Sequence, residues 1–439
     1  MSWAGRWASG ARRGGFVSGG SGSIRWRRPC AFVAVVALGW GCTADGGPAA
    51  DSGVSGEEAV AAESVTEAVQ SSVTATEALE PAAPAVLRPG EGVAVSAAVS
   101  ARPGSVFGGE VYRRLLGELG YAVSDPAVSV VGRQSVAYLH LAEGEFDVWL
   151  DGRFPYDEVW LDGQRFDESR VGDHVAVLAG RRPADAVSGW LISKAFADEH
   201  SVYTLDQLNR DHVALAAFDA ADAIPGNGKA DILTAPEGAV SGDVHAAQVA
   251  FSGWDRIAVV RLGSEEFFAL DERFVDAVAR GVPMIAVAST PSRLVGLLRP
   301  GVDVYWLGIE EYLDDSNPLG HPQGALFSQW TRGLDGAGGH AQFSPDECPS
   351  AAWDPRGLCP LGWIASTRTV AVRAEFAAAN PAASALLDAV FIPTADISQA
   401  LVREAEGDAP EVLAAEWIAA NRALVDEWLG AARVATSRG

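Results

Sequence analysis

The sequence predicts an α/β fold of two lobes, each built around a largely parallel sheet. Short strand-like and helix-like segments alternate from Gly90 onward with short connections, which is typical of helices packed on parallel strands. The 439 residues are 48% apolar, enough for two or three domains with sizeable cores. Because open α/β sheets bind ligands at the carboxyl ends of their strands, we expect a ligand cleft between the lobes.

Hydrophobic periodicity predicts each element. Alternating or continuous apolar runs predict strands at Val93–Ser96, Ala122–Val131, Phe146–Leu150, Ala186–Ile192, His212–Phe218, Pro283–Ala288 and Val302–Leu307. Apolar residues at helical spacing predict helices at Ser105–Leu119, Val136–Ala142, Val244–Phe251, Glu265–Arg280, Ala371–Asn380, Ala382–Val390 and Val412–Ala432. The first of these helices is followed by Gly120, a residue that commonly ends helices.

Composition and motifs exclude several classes of function. The formal net charge is -24, so we expect no nucleic-acid partner, since phosphate binding needs clustered Lys and Arg. The sequence has no GxxxxGK[ST], GxSxG or HExxH motif, and its four cysteines form no CxxC pair. The stretch Asp219–Asp231 lacks the glutamate that a calcium loop needs and predicts a tight polar turn. We therefore predict no enzyme activity, no cofactor and no metal site.

The first 41 residues have the composition of an export signal. Residues 1–29 contain six Arg and no acidic residue, and an apolar run of roughly eleven residues follows from Cys30 to Trp40. About 20 apolar residues are needed to span a bilayer, so this run is too short. It ends Leu38-Gly39-Trp40-Gly41-Cys42, which resembles a bacterial lipobox with a bulky Trp40. We predict a lipid on Cys42 at the outer face of the cell membrane; simple cleavage and an uncleaved anchor are the alternatives.

Residues 42–88 predict a flexible acidic stalk. They are rich in Ala, Gly, Ser, Thr, Val and Glu and contain no aromatic residue. Such a segment buries too little apolar surface to offset the entropy lost on ordering. It would link the lipid anchor to the folded lobes.

Eight short blocks between about residues 90 and 430 match one known family in order. They are Gly90–Val93, Leu116–Val123, Gly144–Asp147, Gly226–Asp231, Phe268–Pro283, Pro300–Leu307, Asn380–Ala383 and Pro393–Ile397. Together they resemble the glycine betaine/proline betaine-binding proteins of ABC importers. The resemblance implies a type II periplasmic-binding-protein-like fold, a small polar solute as ligand, and permease and ATPase subunits as partners.

The resemblance also implies where the lobes begin and end. We expect the first lobe at 89–185, the second lobe at 186–284, and a return to the first lobe at 285–439. Relative to the family, residues 314–361 form an insertion. In an exported protein, Cys348 and Cys359 within this insertion predict a local disulfide. Its Trp330 and Trp353, with the neighbouring Trp363, suggest a lid over the cleft.

The family holds a quaternary ammonium group in a cage of Trp rings, and this chain departs from it at every position. The first Trp position is Arg153, with Asp157 at the family's carboxylate-facing His position. The second is Ala239, followed by Val240 and Ser241, and the third is Ser289. Nearby rings that could substitute after a local shift are Trp149, Phe154, Tyr156 and Trp160.

Because the cage residues are absent, the sequence does not identify the ligand. Glycine betaine or a related osmolyte is what the family implies. Alternatively, Arg153 suits a carboxylate, phosphate or sulfonate, since its planar guanidinium forms bidentate hydrogen bonds. An Arg153–Asp157 pair with a purely structural role is a further alternative.

Two other classes of function stay open at this point. A sensory or scaffold lipoprotein that kept the fold and lost transport would explain the altered cage. An exported hydrolase would need clustered titratable residues in the cleft, for which Arg153, Asp157 and Glu237 are the candidates.

Overall fold

The computed structural model describes residues 87–178, 180, 182–236, 240–310, 340–362 and 365–435, all within one compact unit, Glu80–Gly439. Several predicted features lie outside the described residues: the export signal with Cys42, the stalk up to residue 86, Glu237, Ala239, residues 314–339 with Trp330, and Trp363. The side chains of Val240 and Ser241 also lie outside the description.

The strands and helices alternate along the chain as the sequence predicts. The strands are β1 (Ala94–Val95), β2 (Ala97–Ser100), β3 (Ala122–Val123), β4 (Val130–Val131), β5 (Val148–Phe154), β6 (Val175–Leu178), β7 (Ser188–Ser193), β8 (Ala230–Thr234), β9 (Ile257–Arg261), β10 (Ile285–Ser289), β11 (Val304–Leu307), β12 (His340–Ala341), β13 (Cys359–Pro360) and β14 (Thr367–Arg373). The helices are α1 (Ser105–Glu118), α2 (Gln134–Glu143), α3 (Glu158–Leu161), α4 (Lys194–His200), α5 (Leu205–Arg210), α6 (His212–Asp219), α7 (Val240–Phe251), α8 (Ser264–Phe268), α9 (Leu270–Ala279), α10 (Arg293–Leu297), α11 (Ala374–Ala379), α12 (Pro381–Ala389), α13 (Thr394–Glu406), α14 (Pro410–Ala420) and α15 (Arg422–Ala435).

Two five-stranded sheets define the two lobes. The first lobe has strand order β4-β2-β5-β14-β6, and the second has β11-β7-β10-β8-β9. In the first sheet only β14 runs antiparallel to its neighbours, and in the second only β7 does. Each of these two strands directly follows a crossing of the chain from one lobe to the other. The fold is therefore the predicted two-lobed α/β fold, and its sheets are mixed rather than wholly parallel.

Each sheet carries a core on both faces. In β7, Trp190 and Ile192 belong to one cluster of buried side chains, and Leu191 between them belongs to the cluster on the opposite face. In β5, Val148 and Trp149 divide in the same way between the two clusters of the first lobe. Burial on both faces explains the continuous apolar runs of these strands.

The two crossing segments pair with each other between the lobes. Ala186 and Ser366 exchange backbone hydrogen bonds of 3.0 and 2.8 Å. Beside this pair, the backbone carbonyl of Asp185 accepts hydrogen bonds from Thr290 Oγ1 (2.6 Å) and Thr394 Oγ1 (3.4 Å). Since Thr290 follows β10 of the second lobe and Thr394 begins α13 of the first, these contacts form a hinge.

A second contact joins the lobes through helices α10 and α13. Gln399 Nε2 donates to the carbonyl of Gly296 (2.9 Å), and the Ser292 N–H donates to Ser398 Oγ (3.2 Å). A Cβ on Gly296 would lie 2.4 Å from the carbonyl oxygen of Ser398. Only glycine therefore permits this approach of the two helices.

The structure corrects several predictions from the sequence. Val412–Ala432 spans two helices, α14 and α15, and Ala122–Val131 contains two short strands, β3 and β4. His212–Phe218 is helix α6 rather than a strand, because the Asp211 side chain caps the N–H groups of Val213 and Ala214. Residues 371–373 belong to strand β14 rather than to a helix. The return to the first lobe comes later than residue 285, since β10 and β11 pair in the second sheet.

The predicted disulfide between Cys348 and Cys359 is confirmed. Both residues are fully buried, and their Cα atoms lie 5.9 Å apart. The two cysteines are eleven residues apart in the sequence. The bond anchors a short loop, with the β12–β13 pair beside it, to the core of the second lobe.

Within the described part of the chain, no single helix has both the length and the apolar character needed to cross a bilayer. Helices α12 and α13 meet these criteria only as a pair, which is bent by 86°.

Candidate ligand-binding site

A cavity lies against the first lobe, where its strands meet the crossing segments. The start of α1, the end of β5, the start of β14, residues 390–392 and Pro291 line it. Its free space is about 30 Å³, which accommodates about two water molecules. We call it the arginine cavity, because Arg153, Arg182 and Arg368 all line it.

The arginine cavity has an excess of positive charge. Arg153 in β5 and Arg368 in β14 are direct partners across the antiparallel pair, and Arg182 lies in the first crossing segment. Asp151 also lines the cavity. Its carboxylate already accepts hydrogen bonds from the hydroxyls of Ser100 and Ser105.

Two of the arginines are fixed by backbone carbonyls. Arg182 Nη1 donates to the carbonyl of Arg368 (3.1 Å) and its Nη2 to that of Asp388 (3.2 Å). Arg368 Nη2 donates to the carbonyl of Ile392. These bonds hold both side chains in place beside the cavity.

Several buried polar atoms at the cavity have no partner among the described residues. They are the Nε atoms of Arg153, Arg182 and Arg368 and the hydroxyl oxygen of Thr369. Buried donors without partners are unfavourable, and in native proteins they commonly mark a place where an unseen group binds.

The surroundings of Arg153 lower its pKa, but the side chain stays charged. Burial, together with the nearby charges of Arg102 and Arg368, lowers the pKa of Arg153 to about 10. The guanidinium therefore remains charged at neutral pH.

Asp157 supports the backbone rather than pairing with a guanidinium. Its Oδ2 accepts hydrogen bonds from the backbone N–H of Arg153 (2.8 Å) and from Tyr138 Oη (3.1 Å). Burial raises the pKa of Asp157 to about 6, against the effect of these hydrogen bonds. The carboxylate thus fixes the turn after β5, which aims Arg153 at the cavity.

Most of this chain matches one known protein family. Residues 94–420 match the family described as the substrate-binding domain of ABC-type glycine betaine transport systems. The chain belongs to this family. Its lobes and hinge are therefore those of a solute-binding protein of an ABC transport system.

Two curated relatives match most of this chain. The glycine betaine-binding periplasmic protein OusX of Dickeya dadantii (strain 3937) is 25% identical over 352 residues, which are 79% of this chain and 92% of OusX. The glycine betaine/proline betaine-binding periplasmic protein of Escherichia coli (strain K12) is 25% identical over 353 residues, 79% of this chain and 92% of the relative.

Among solved structures, lactococcal OpuAC, closed and complexed with glycine betaine, has a TM-score of 0.45 at 16% identity and covers 77% of this chain and 99% of its own. An ABC-transporter choline-binding protein in complex with choline has a TM-score of 0.43 at 15% identity and covers 78% of this chain and 97% of its own.

Among the residues at the family's cage positions, Arg153 lines the arginine cavity. Ser289 ends β10 half-buried, opposite Ser188, and is not part of the lining. Val240 and Ser241 begin α7.

The aromatic side chains proposed as substitutes do not line the arginine cavity. Phe154 contacts Tyr138 edge to face, with ring centres 6.4 Å apart. Trp149 is fully buried in the core, and Trp160 packs against that core. Burial raises the pKa of the Tyr156 hydroxyl.

The lid suggested for Trp353 is not seen. Trp353 is 55% exposed and contacts Tyr203, with ring centres 6.2 Å apart. Together with Lys194 and Tyr305 these residues line a separate cavity of about 590 Å³ on the second lobe.

Arg182, Arg368 and Thr369 were not found from the sequence. Arg368 and Thr369 lie in β14, whose alternation Thr-Arg-Thr-Val-Ala-Val-Arg is a strand signal. That signal predicts the strand itself but not its pairing with β5, which the structure shows. Among the described residues, no group of three or more His, Cys, Asp or Glu side chains is arranged to hold a metal ion.

Proposed function

We propose that this chain is an exported, lipid-anchored solute-binding subunit of an ABC importer. Its solute binds at the arginine cavity, and a permease and an ATPase subunit are its partners. The observation that carries the proposal is the position of this cavity, directly beside the hinge between the two lobes.

The hinge explains how binding becomes a signal. The lobes are joined by the paired crossing segments at Ala186 and Ser366 and by the α10–α13 contact. A solute that contacts both lobes favours the closed arrangement, and the population shifts toward it. The permease then distinguishes the loaded protein from the empty one.

The proposed site residues come from both lobes. Arg153 contacts the solute, and Phe154, Tyr156 and Asp157 hold the turn that presents it. From the second lobe we propose the segment Ala239, Val240 and Ser241, together with Ser289. The solute class that the family supplies is glycine betaine or a related osmolyte.

The chain performs no chemistry in this proposal. Among the described residues that line the arginine cavity there is no His and no Cys, and Ser105 donates its hydroxyl to Asp151 (2.8 Å). A hydroxyl nucleophile needs a base beside it, and Asp151 is held by other donors as well.

The membrane attachment is tested separately from the binding. We expect mass spectrometry of the mature protein to find a lipid on Cys42, and Cys42→Ser to release the protein from the membrane fraction. A Cys42→Ser protein that stays with the membrane would contradict the anchor.

The first test of the function is a thermal-shift screen of Glu80–Gly439, the compact unit. The panel contains betaines, choline, amino acids, polyamines, sulfonates and organic phosphates. A ligand at a hundred times its Kd adds about 2.7 kcal/mol and raises the melting temperature. We expect at least one solute to do so and to reduce the radius of gyration in solution scattering. No stabilisation by any class would favour a sensory or scaffold protein.

A further inference from the structure

The arginine cavity also indicates which end of the solute it receives. Arg153 and Arg368 are direct partners on neighbouring antiparallel strands, β5 and β14. Like charges directly opposite each other destabilise a sheet. A pair of this kind is therefore best explained by an anionic group that binds between them.

Three carboxylates compensate part of this positive charge: Asp151 and Asp157 attract Arg153, and Asp185 attracts Arg368. Asp151 accepts from the hydroxyls of Ser100 and Ser105 and lies 3.7 Å from Arg102 Nη1. Asp157 accepts from the backbone N–H of Arg153 and from Tyr138. In the part of the chain that the structure describes, the buried Nε of Arg153 has no hydrogen-bond acceptor.

Other donors at the cavity point to the same kind of ligand. The Nε of Arg368 and the hydroxyl of Thr369 are buried and without partners among the described residues. Helix α1 starts at the cavity with Gly104 as its cap, has no side-chain cap and no acidic residue in its first turn. The partial positive charge of a helix N-terminus adds to the arginines.

The lining of the cavity separates two candidate groups. Its guanidinium groups suit the oxygens of an oxyanion, whereas a trimethylammonium group would need aromatic faces around it. Tyr112 and Phe391 are the aromatic residues among the described lining, and no described Trp lines the cavity.

We infer that the solute enters the arginine cavity with an oxyanion, a carboxylate, sulfonate or phosphate group, which accepts hydrogen bonds from Arg153, Arg368 and Thr369. The inference rests on the proposed function and names the part of the solute that this site recognises. Guanidinium groups bind such oxyanions through paired hydrogen bonds, which a point charge does not reproduce.

Glycine betaine and choline provide a matched pair of probes. Both carry the trimethylammonium group, and only glycine betaine has a carboxylate. Succinate, taurine and inorganic phosphate extend the panel to other oxyanions. Dissociation constants are measured by calorimetry with the purified protein and with Arg153→Gln, Arg368→Gln and Arg153→Lys. The control is Arg170→Gln, which removes an exposed guanidinium paired with Asp162 in the same lobe.

We expect at least one oxyanion probe to bind and choline to bind at least tenfold more weakly than glycine betaine. Arg153→Gln and Arg368→Gln should each weaken the bound oxyanion at least tenfold, Arg153→Lys should restore part of the loss, and Arg170→Gln should change it less than twofold. Unliganded melting curves establish that each variant is folded.

Choline binding as tightly as glycine betaine, or an oxyanion affinity unchanged in Arg153→Gln, would overturn the inference and leave the solute-binding function standing. Binding by none of the probes would count against both.

Discussion

Replacing Arg153 with Met should stabilise the protein when no ligand is present. The pKa of Arg153 falls from 12.5 to about 10, and a tenfold change in proton affinity corresponds to about 1.4 kcal/mol. The buried charge therefore opposes folding by about 3 kcal/mol. Met keeps the length of the side chain and needs no hydrogen-bond partner. Allowing for lost packing, we expect a gain of about 1–3 kcal/mol, since an unpaired buried charge is costly.

The lowered pKa of Arg153 also determines how the gain in stability depends on pH. A base whose pKa is lowered on folding weakens the folded state at every pH below its folded value, and this effect is relieved as the pH rises from about 10 toward 12.5. The gain from Arg153→Met should thus be full at pH 7 and smaller at pH 11. Urea unfolding at both pH values measures it.

A matched control is Arg170→Met, an exposed position where we expect a change within about 0.5 kcal/mol. A bound oxyanion should raise the stability of the wild-type protein and not that of the Met variant. If Arg153→Met instead destabilises the unliganded protein by more than about 1 kcal/mol, the guanidinium makes favourable contacts and the reasoning is refuted.

Three further outcomes test the fold. Replacing Cys348 and Cys359 together with Ala should cost about 3 kcal/mol in urea unfolding, from the entropy of the short loop they close; reduction that leaves stability unchanged would contradict this. Burial lowers the pKa of His245 to about 3, so the unfolded chain takes up that proton first and stability falls as the pH drops from about 6.5 toward 3. His245→Gln should flatten that part of the pH profile, and an unaltered slope would argue against it. Gly296→Val should cost about 1–3 kcal/mol by separating α10 from α13, whereas Gly117→Ala, with open space around it, should be neutral or stabilising; equal effects would contradict the tight contact.

Local patterns predicted the elements whose partners are near in sequence. Helix α1 was placed to within one residue, because its apolar spacing and the following Gly120 are local signals. The run His212–Phe218 is short and mostly apolar, and such a run suits a strand or a buried helix equally until its cap is known. The local pattern of Ala371–Asn380 suits a helix, and the first part of this segment is a strand only because β14 pairs with β5, more than 200 residues earlier.

Residues of the candidate site could be predicted only where a family motif points to them. Arg153 was found because it replaces a ring in a recognisable motif of the family. Arg182 and Arg368 reach the same cavity through the two crossings of the chain, and no local spacing relates them. The role of Asp157 could not be predicted from the sequence, because its partner is the backbone N–H of Arg153 and not the side chain.

The small free space of the arginine cavity has a consequence for kinetics. The space of about 30 Å³ is small for an organic solute, so the lining elements are expected to move apart when one enters. Association is then limited by that opening, since a required conformational change lowers the association rate. Release passes through the same opening, so a captured solute has a long residence time, and the permease must open the lobes to unload it.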